Sequence, residues 1–223
     1  MIDVAGNVVA IRARMAAAAQ RVGRDPSAIV LLAAAKQKSA ALVEAAIGAG
    51  VNDIGENYVQ EAAAKRHEVK GVARWHMIGH LQRNKAMRAV EIFDVIESVD
   101  SLALGTALAR GGEERHGPVR VLVEVNLAGE ASKSGVSADA LPELVDGLRH
   151  LSGLRVEGLM VVPPPGSPEV TRPYFRRARA LRDALRLTEL SMGMSDDFEV
   201  AIEEGATLVR LGRVIFGERQ HTT

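Results

Sequence analysis

The feature that most constrains the fold is a regular alternation of short apolar runs with longer helical patterns along the 223-residue chain. Eight runs rich in apolar and β-branched residues have the length of buried strands. Their starts are about 25 residues apart on average, the size of one strand plus one helix in a parallel βα repeat. The predicted strands are residues 29–35, 51–54, 75–78, 93–99, 119–125, 154–162, 189–192 and 207–211.

Helical spacing of apolar residues predicts a helix between successive runs and an opening helix over residues 8–22. Eight βα units after one leading helix favour an α/β fold, a single TIM (β/α)8 barrel domain over residues 1–223. A doubly wound open sheet is the alternative, but no predicted strand is followed by Gly-x-Gly-x-x-Gly and no change of composition marks a second domain. The predicted intervening helices are residues 39–49, 59–67, 83–90, 101–110, 139–151, 174–187 and 195–204.

The composition excludes several classes of partner and chemistry. The 28 basic and 28 acidic residues cancel and aromatic residues make up 3% of the chain, so neither a nucleic acid nor an anionic membrane is expected as a partner. The first 20 residues carry charges among their apolar residues, unlike a signal peptide. The chain has no cysteine, and its six histidines lack metal-binding spacing. We therefore expect a cytoplasmic protein without a bound metal.

Lys36 closes the first strongly apolar run of the chain. An amine at the exit of a buried strand is partly stripped of water, which disfavours its charged form and leaves a nucleophile near neutral pH, as a Schiff-base lysine requires. The alternative is a lysine that ends the strand and extends its charged head into solvent.

Two glycine-containing loops follow the last two predicted strands. Phosphate groups tend to bind at these two positions of a barrel. The first loop contains Gly193 and Ser195, and we expect Ser195 to cap the next helix; the second contains Gly212 and Arg213. Two adjacent helix amino termini would suit a phosphate dianion, although ordinary capping would explain each loop taken singly.

Arg210 lies within a short strand that should be largely buried. A guanidinium keeps its proton, so it needs an acceptor there, either a ligand atom or a carboxylate such as Glu56 or Glu124. Asn57 and His80 follow the second and third strands and would face the same rim. Asn57 would bond a phenolic oxygen and His80 would pack on a ring, although both also suit turn or cap positions.

These parts together describe one ligand. An aldehyde suits Lys36, an acceptor suits Arg210, and a phosphate suits the two glycine loops. Pyridoxal 5'-phosphate (PLP) carries all three groups, and a barrel mouth would hold it with its aldehyde near strand one and its phosphate near strands seven and eight.

Short blocks along nearly the whole chain resemble, in order, those of the pyridoxal phosphate homeostasis protein family. They are 34–38 (AAKQK), 55–61 (GENYVQE), 75–85 (WHMIGHLQRNK), 98–101 (SVDS), 125–126 (VN) with 133–135 (KSG), 158–160 (GLM), 190–197 (LSMGMSDD), and 209–212 (VRLG) with 215–217 (IFG). The resemblance implies a barrel like that of bacterial alanine racemase, with PLP on Lys36. It also implies that Arg210 lies against the pyridine nitrogen and that Asn57 stands near the cofactor ring.

The same resemblance implies that Ser191, Ser195 and Gly212 hold the phosphate. Position 213, commonly a small hydroxyl residue in the family, is Arg213 here. Either its side chain supplies a charged contact in place of the hydroxyl, or it points outward and leaves its backbone N–H as the donor.

The family is described as storing PLP and passing it on, and the sequence favours such a carrier over an enzyme. An arginine can only donate to the pyridine nitrogen, so the ring would store negative charge poorly. Racemases compensate with two bases on opposite faces, one of them commonly a tyrosine from a second domain. The tyrosines here are Tyr58 and Tyr174, and the sequence ends six residues after Gly217, so no such domain is expected.

We therefore expect a monomer that binds PLP and releases it to apo-enzymes. The first alternative is a PLP-dependent small amino-acid racemase or lyase, and the second is an aldolase that uses Lys36 without a cofactor. Lys133, in the loop after the fifth strand, is either a transient second acceptor of PLP or a solvated loop lysine.

Overall fold

The structure, a computed structural model, describes residues 2–115, 117–130 and 134–217. Eight of its strands are joined in parallel: β1 (Val30–Ala34), β2 (Asp53–Glu56), β3 (Arg74–Met77), β4 (Val95–Val99), β5 (Val119–Asn126), β7 (Leu154–Val161), β8 (Glu189–Ser191) and β9 (Leu208–Leu211). β1 pairs with β2 on one side and with β9 on the other, and the pairing of β4 with β5 closes the ring. The predicted eight-stranded barrel is confirmed. A short strand that the sequence did not predict, β6 (Val136–Ser137), pairs in parallel with the last two residues of β5.

Helices alternate with the strands as expected. They are α1 (Val4–Arg21), α2 (Ala40–Gly48), α3 (Val59–Glu68), α4 (Ala86–Ile92), α5 (Leu102–Glu114), α6 (Leu141–Arg149), α7 (Pro168–Ala184), α8 (Phe198–Glu203) and α9 (Arg213–Phe216). In the part of the chain that the structure describes, no helix combines the length and the apolar character needed to cross a bilayer.

Several predicted boundaries are wrong, each for a local reason. The opening helix begins four residues earlier than predicted because Asp3 caps it, accepting a 2.8 Å hydrogen bond from the N–H of Gly6. α7 begins at Pro168 rather than at Tyr174, because a proline fits the first turn of a helix. β2 lies two residues later than predicted, since its pairing with β3 aligns Asp53 with Arg74.

The two sides of the ring differ in polarity. Successive side chains of a strand point to opposite sides, so one set packs under the helices and the other faces the barrel interior. The outer set contributes to the main apolar core, with Leu31, Ala33, Ile54, Trp75, Ile96 and Val209 among its members. The alternate positions carry buried polar side chains, among them Asp53, His76, Glu97 and Arg210. Polar groups therefore accumulate inside the barrel, below its mouth.

Candidate functional site

A cavity of about 840 Å³ opens at the carboxyl ends of the strands. Six of the seven predicted site residues line it: Lys36, Asn57, Ser195, Arg210, Gly212 and Arg213. They follow four strands, β1, β2, β8 and β9, or lie within the last of them. The rigid Pro163–Gly166 segment after β7 and the Val162 side chain form another part of the wall. The barrel thus brings together residues that lie far apart in the sequence.

Lys36 lies two residues beyond the end of β1, and the peptides on both sides of it are held. The carbonyl oxygen of Ala35 accepts a 2.8 Å hydrogen bond from Nζ of Lys65, and the N–H of Gln37 donates a 2.5 Å bond to Oε1 of Glu61. Gln37 has a φ of 58°, a left-handed conformation that is uncommon for a residue other than glycine. The backbone therefore turns sharply after Lys36, and two side chains of α3 fix that turn.

The lysine that holds Ala35 is itself part of a buried cluster. Nζ of Lys65 lies 2.5 Å from Oε1 of Glu56 and 3.0 Å from Oε1 of Glu61. Burial raises the pKa of Glu56 to about 7, although the hydrogen bond and charge of Lys65 act in the opposite direction. Oε2 of Glu56 has no hydrogen-bond partner among the described residues. Glu56 is therefore the partner of Lys65 and not of Arg210.

Arg210 is 5% exposed and reaches the cavity from inside the barrel. Its Nη1 donates a 2.6 Å hydrogen bond to Oγ of Ser191, and its Nη2 donates a 2.9 Å bond to the carbonyl oxygen of Val161. The carboxylate nearest in this network is Glu97, whose Oε2 accepts a 2.5 Å bond from the Ser191 hydroxyl. The alternative of an ion pair with Glu56 or Glu124 is therefore wrong. Burial lowers the pKa of Arg210, and the negative charges of Glu97 and Glu124 oppose that effect.

Ser191 does not line the cavity. Its side chain is fully buried and its hydroxyl both accepts from Arg210 and donates to Glu97. A serine hydroxyl has a single proton to donate. The expected side-chain contact between Ser191 and a phosphate is not available in this arrangement, and we assign Ser191 to the support of Arg210 instead.

The loop after β8 differs from the expected capping arrangement. α8 begins at Phe198, three residues after Ser195, so Ser195 is not its cap. Instead Oδ1 of Asp197 accepts a 2.7 Å hydrogen bond from the N–H of Met194, which closes a turn ahead of the helix. Gly193 has a φ of 93°, and a Cβ there would lie 2.5 Å from the Cβ of Ala201. This turn leaves Ser195 half-buried on the cavity wall.

The loops after β8 and β9 are tied together at the mouth. Nη2 of Arg213 lies 2.5 Å from Oδ2 of Asp196, and both side chains are more than half exposed. Because α8 has six residues and α9 has four, neither contributes a long helix dipole, so the polar character here comes from side chains and loop N–H groups. Arg213 therefore lines the cavity with its charge already partnered at the rim.

Of the other candidates, Asn57 belongs to the cavity and His80 does not. Asn57 passes close to Gly79, where a Cβ would lie 2.5 Å from the Asn57 carbonyl oxygen. His80 is exposed, and its Nδ1 lies 3.2 Å from Oγ of Ser134. Tyr58 is 57% exposed beside Asn57, and neither it nor Tyr174 lines the cavity. Lys133 lies outside the described residues.

Sequence reasoning missed Lys65, Glu97 and His76. A signal for the last two was present, because polar residues alternate with apolar ones in Arg74-Trp75-His76-Met77 and in Ile96-Glu97. This alternation distinguishes the inside of the ring from its outside. Lys65 lies on α3 among polar residues, and nothing in the sequence distinguishes it from a solvated lysine.

Comparisons with known proteins agree on one family. Residues 7–220 match the family described as alanine racemase, N-terminal domain. The chain is 43% identical over 225 residues to the pyridoxal phosphate homeostasis protein of Pseudomonas aeruginosa, covering 99% of this chain and 98% of the relative. It is 41% identical to the protein of the same name from Escherichia coli K12, covering 100% of this chain and 99% of that one.

Solved structures show the same likeness. PipY of Synechococcus elongatus PCC7942, determined with PLP bound, superposes with a TM-score of 0.85 at 35% sequence identity, covering 96% of this chain and all of PipY. An uncharacterised protein from Bifidobacterium adolescentis superposes with a TM-score of 0.90 at 36% identity, covering 96% of this chain and 94% of that one.

Proposed function

Because the chain belongs to the pyridoxal phosphate homeostasis protein family, within the alanine racemase N-terminal domain fold, we propose that it binds PLP as a Schiff base on Lys36, stores it and delivers it to apo-enzymes. The observation that carries this proposal is that Lys36 and Arg210, from neighbouring strands, line one cavity at the mouth of the barrel. When bound, PLP would supply an aldehyde for reversible imine formation with an amine.

The cavity residues fit this ligand in size and chemistry. A volume of about 840 Å³ lies within the range of cofactor sites. Gly212 allows its backbone to approach the end of β1 closely, since a Cβ there would lie 3.0 Å from the carbonyl oxygen of Ala34. We propose that Ser195, the backbone of Gly212 and Arg213 hold the phosphate, with Asn57 beside the ring.

Arg210 would then donate to the pyridine nitrogen. A guanidinium has five N–H donors, and the hydrogen bonds to Ser191 and Val161 use two of them. Arg210 has no acceptor atom and does not give up its proton, so it holds a bound nitrogen in the unprotonated form. This favours binding over the storage of negative charge on the ring.

A carrier role is supported by what else lines the cavity. Two-base racemisation needs a proton donor and acceptor on opposite faces of a substrate. Among the described residues, the titratable side chains on the wall besides Lys36 are Lys38, Asp196 and Asp197, together with the two arginines. Nζ of Lys38 lies 3.3 Å from the carbonyl oxygen of Gly217, and Asp196 pairs with Arg213. Asp197 accepts from the Met194 N–H, so these groups are engaged within the protein.

The decisive experiment is a PLP titration of the purified protein, followed by absorption and by reduction of the imine with borohydride. We expect a yellow protein whose reduced peptide carries the cofactor at Lys36, and a Lys36→Ala variant that stays colourless. Lys38→Ala is the matched control, because Lys38 belongs to the same loop and lines the same cavity. Modification at another lysine in the wild-type protein, or an unchanged spectrum in Lys36→Ala, would refute the proposal.

A second experiment separates a carrier from an enzyme. The loaded protein is mixed with an apo-enzyme that needs PLP, in the presence of a trap for free PLP, and separately with a panel of L-amino acids. We expect activation of the apo-enzyme and no substantial racemisation or keto-acid release. Turnover above about one per second would favour the racemase or lyase instead. The delivery of PLP to apo-enzymes, the monomeric state, the single domain and the cytoplasmic location stay predictions.

A further inference from the structure

A line of hydrogen-bonded polar side chains crosses the barrel interior from the cavity to the opposite end of the strands. Each link joins neighbouring or facing strands, and all members except the last are buried. In order from the cavity, they are Arg210, Ser191, Glu97, His76, Asp53 and Arg74. We call these six residues the interior relay.

The upper half of the interior relay has a fixed direction. Arg210 can only donate and an ionised Glu97 can only accept, so the Ser191 hydroxyl between them must accept from the first and donate to the second. The distances are 2.6 Å from Nη1 of Arg210 to Oγ of Ser191 and 2.5 Å from that oxygen to Oε2 of Glu97. The orientation of the guanidinium is thereby linked to the position of a carboxylate that never reaches the cavity.

The lower half holds that carboxylate. Nδ1 of His76 lies 2.7 Å from Oε1 of Glu97, and its Nε2 lies 2.9 Å from Oδ1 of Asp53. Asp53 is in turn paired with Arg74, with 2.8 Å between Nε and Oδ1. Burial alone would lower the pKa of His76, but the hydrogen bonds and charges of the two carboxylates raise it to about 9. The imidazole is therefore doubly protonated at neutral pH and donates to both carboxylates.

Arg210 has other carboxylates to which it could turn. Glu124 and Asp197 both attract its charge, and Asp197 lines the cavity. In a buried site an arginine that is not held elsewhere would pair directly with such a group. That pairing would withdraw its N–H groups from a ligand.

We propose that Glu97 and His76 are positioning residues of the cofactor site, which hold Arg210 toward the cavity through Ser191 and away from Glu124 and Asp197. This inference rests on the proposed function for the identity of the ligand. Glu97 and His76 would then control the orientation of the Arg210 guanidinium that faces the pyridine nitrogen, although neither residue lines the cavity.

The test compares three serine variants. Ser191→Ala removes the link, and Ser191→Thr retains the hydroxyl while overpacking the site. Ser98→Ala is the matched control, because Ser98 is fully buried next to Glu97 and its hydroxyl has no partner among the described residues. PLP affinity and the position of the absorption and fluorescence maxima of bound PLP are measured for each, together with the midpoint of urea unfolding.

We expect Ser191→Ala to weaken PLP binding about tenfold and to shift the spectra, as loss of one buried hydrogen bond to a charged group predicts. Ser98→Ala should bind PLP like the wild type. Ser191→Thr should be less stable than Ser191→Ala yet keep the wild-type spectra, because it keeps the link. A purely structural role predicts that the spectral shift increases with the loss of stability across the three variants. That correlation would overturn the proposal.

A measurement without cofactor separates this inference from the proposed function. In the unloaded protein, proton exchange and rotation of the Arg210 guanidinium are followed by nitrogen-15 NMR. We expect slow exchange in the wild type and in Ser98→Ala, and fast exchange in Ser191→Ala and Glu97→Gln. Failure of the wild type to bind PLP would refute the proposed function only, whereas equal guanidinium exchange in all variants would refute the interior relay.

Discussion

Nζ of Lys65 donates a 2.8 Å hydrogen bond to the carbonyl oxygen of Ala35, the residue immediately before Lys36. A side chain on α3 thus holds the peptide from which the proposed Schiff-base lysine projects. Glu61, one helical turn earlier, holds the peptide on the other side through Gln37. The conformation of Lys36 therefore depends on a helix that does not itself line the cavity.

Lys65→Met should disturb the conformation of the backbone around Lys36. The substitution keeps an unbranched side chain but removes the cation from Glu56 and the donor from Ala35. Above pH 7, where Glu56 is ionised, losing one partner of a buried pair predicts a decrease of about 3 kcal/mol in the free energy of unfolding, together with weaker PLP binding. Urea unfolding and PLP titration measure the two effects. Lys70→Met, at an exposed lysine soon after the same helix, should change neither; equal effects of both substitutions would contradict the assignment.

Glu56→Gln should alter the pH dependence of stability. The folded protein holds a proton on Glu56 up to about pH 7, whereas the ordinary pKa is 4.5. The folded state therefore binds more protons between these values, and its stability falls as the pH rises from about 4.5 to 7, by about 3 kcal/mol in total.

The glutamine does not titrate, so this decrease should be absent from Glu56→Gln. Urea unfolding at pH 5, 6 and 7 checks the difference between the two proteins. Parallel stability curves over that range would show that Glu56 keeps an ordinary pKa. His76 titrates with the same sign but at higher pH, because its folded pKa is raised to about 9, so it contributes little below pH 6.

Gly193→Ala should destabilise the loop after β8. An alanine there would adopt a φ of 93° and place its Cβ 2.5 Å from that of Ala201. We expect a decrease of about 2 kcal/mol in the free energy of unfolding and weaker PLP binding, because the loop carries Ser195. Gly48→Ala is the control: it lies in α2 with open space around its Cβ and should increase stability by about 0.5 kcal/mol.

Substitutions of Arg213 and of its partner Asp196 should decide whether the side chain or the backbone N–H of Arg213 contacts the phosphate. If its guanidinium contacts the phosphate, Arg213→Ala weakens PLP binding about fivefold, as expected for one exposed charge interaction. Asp196→Asn should then strengthen binding, because it frees the guanidinium from its 2.5 Å partner. Titrations of both variants and of the double variant measure this, and unchanged affinity in Arg213→Ala would leave the backbone N–H as the donor.

The sequence predicts the ring of strands well because period and length are local properties. It also identifies Lys36 and Arg210 as candidate site residues, because a charged residue at the end of an apolar strand, or within one, can be recognised from the sequence alone. The partner of Arg210 could not be predicted. Which inward side chains meet across a barrel depends on the tilt and stagger of all its strands, and the spacing of residues along the chain does not encode that stagger.

The loops were harder to predict for a different reason. Ser195 has the residue type of a helix cap. However, Asp197 accepts the hydrogen bond from the Met194 N–H, and the helix begins three residues after Ser195. Several polar side chains near a helix start compete for the same N–H groups, and the outcome depends on the glycine turn before them. The family resemblance implies a phosphate contact for Ser191, but burial next to Glu97 gives its hydroxyl another partner.

Pairing between β1 and β9 joins the first and last strands of the ring. Lys36 is therefore synthesised well before Arg210 and the glycine loop after β9, which line the same cavity. The wall of the cavity is incomplete until β9 has paired with β1, a contact between distant parts of the chain. A chain truncated before β9 would therefore keep Lys36 but lack the complete cavity, so tight retention of PLP would report closure of the ring.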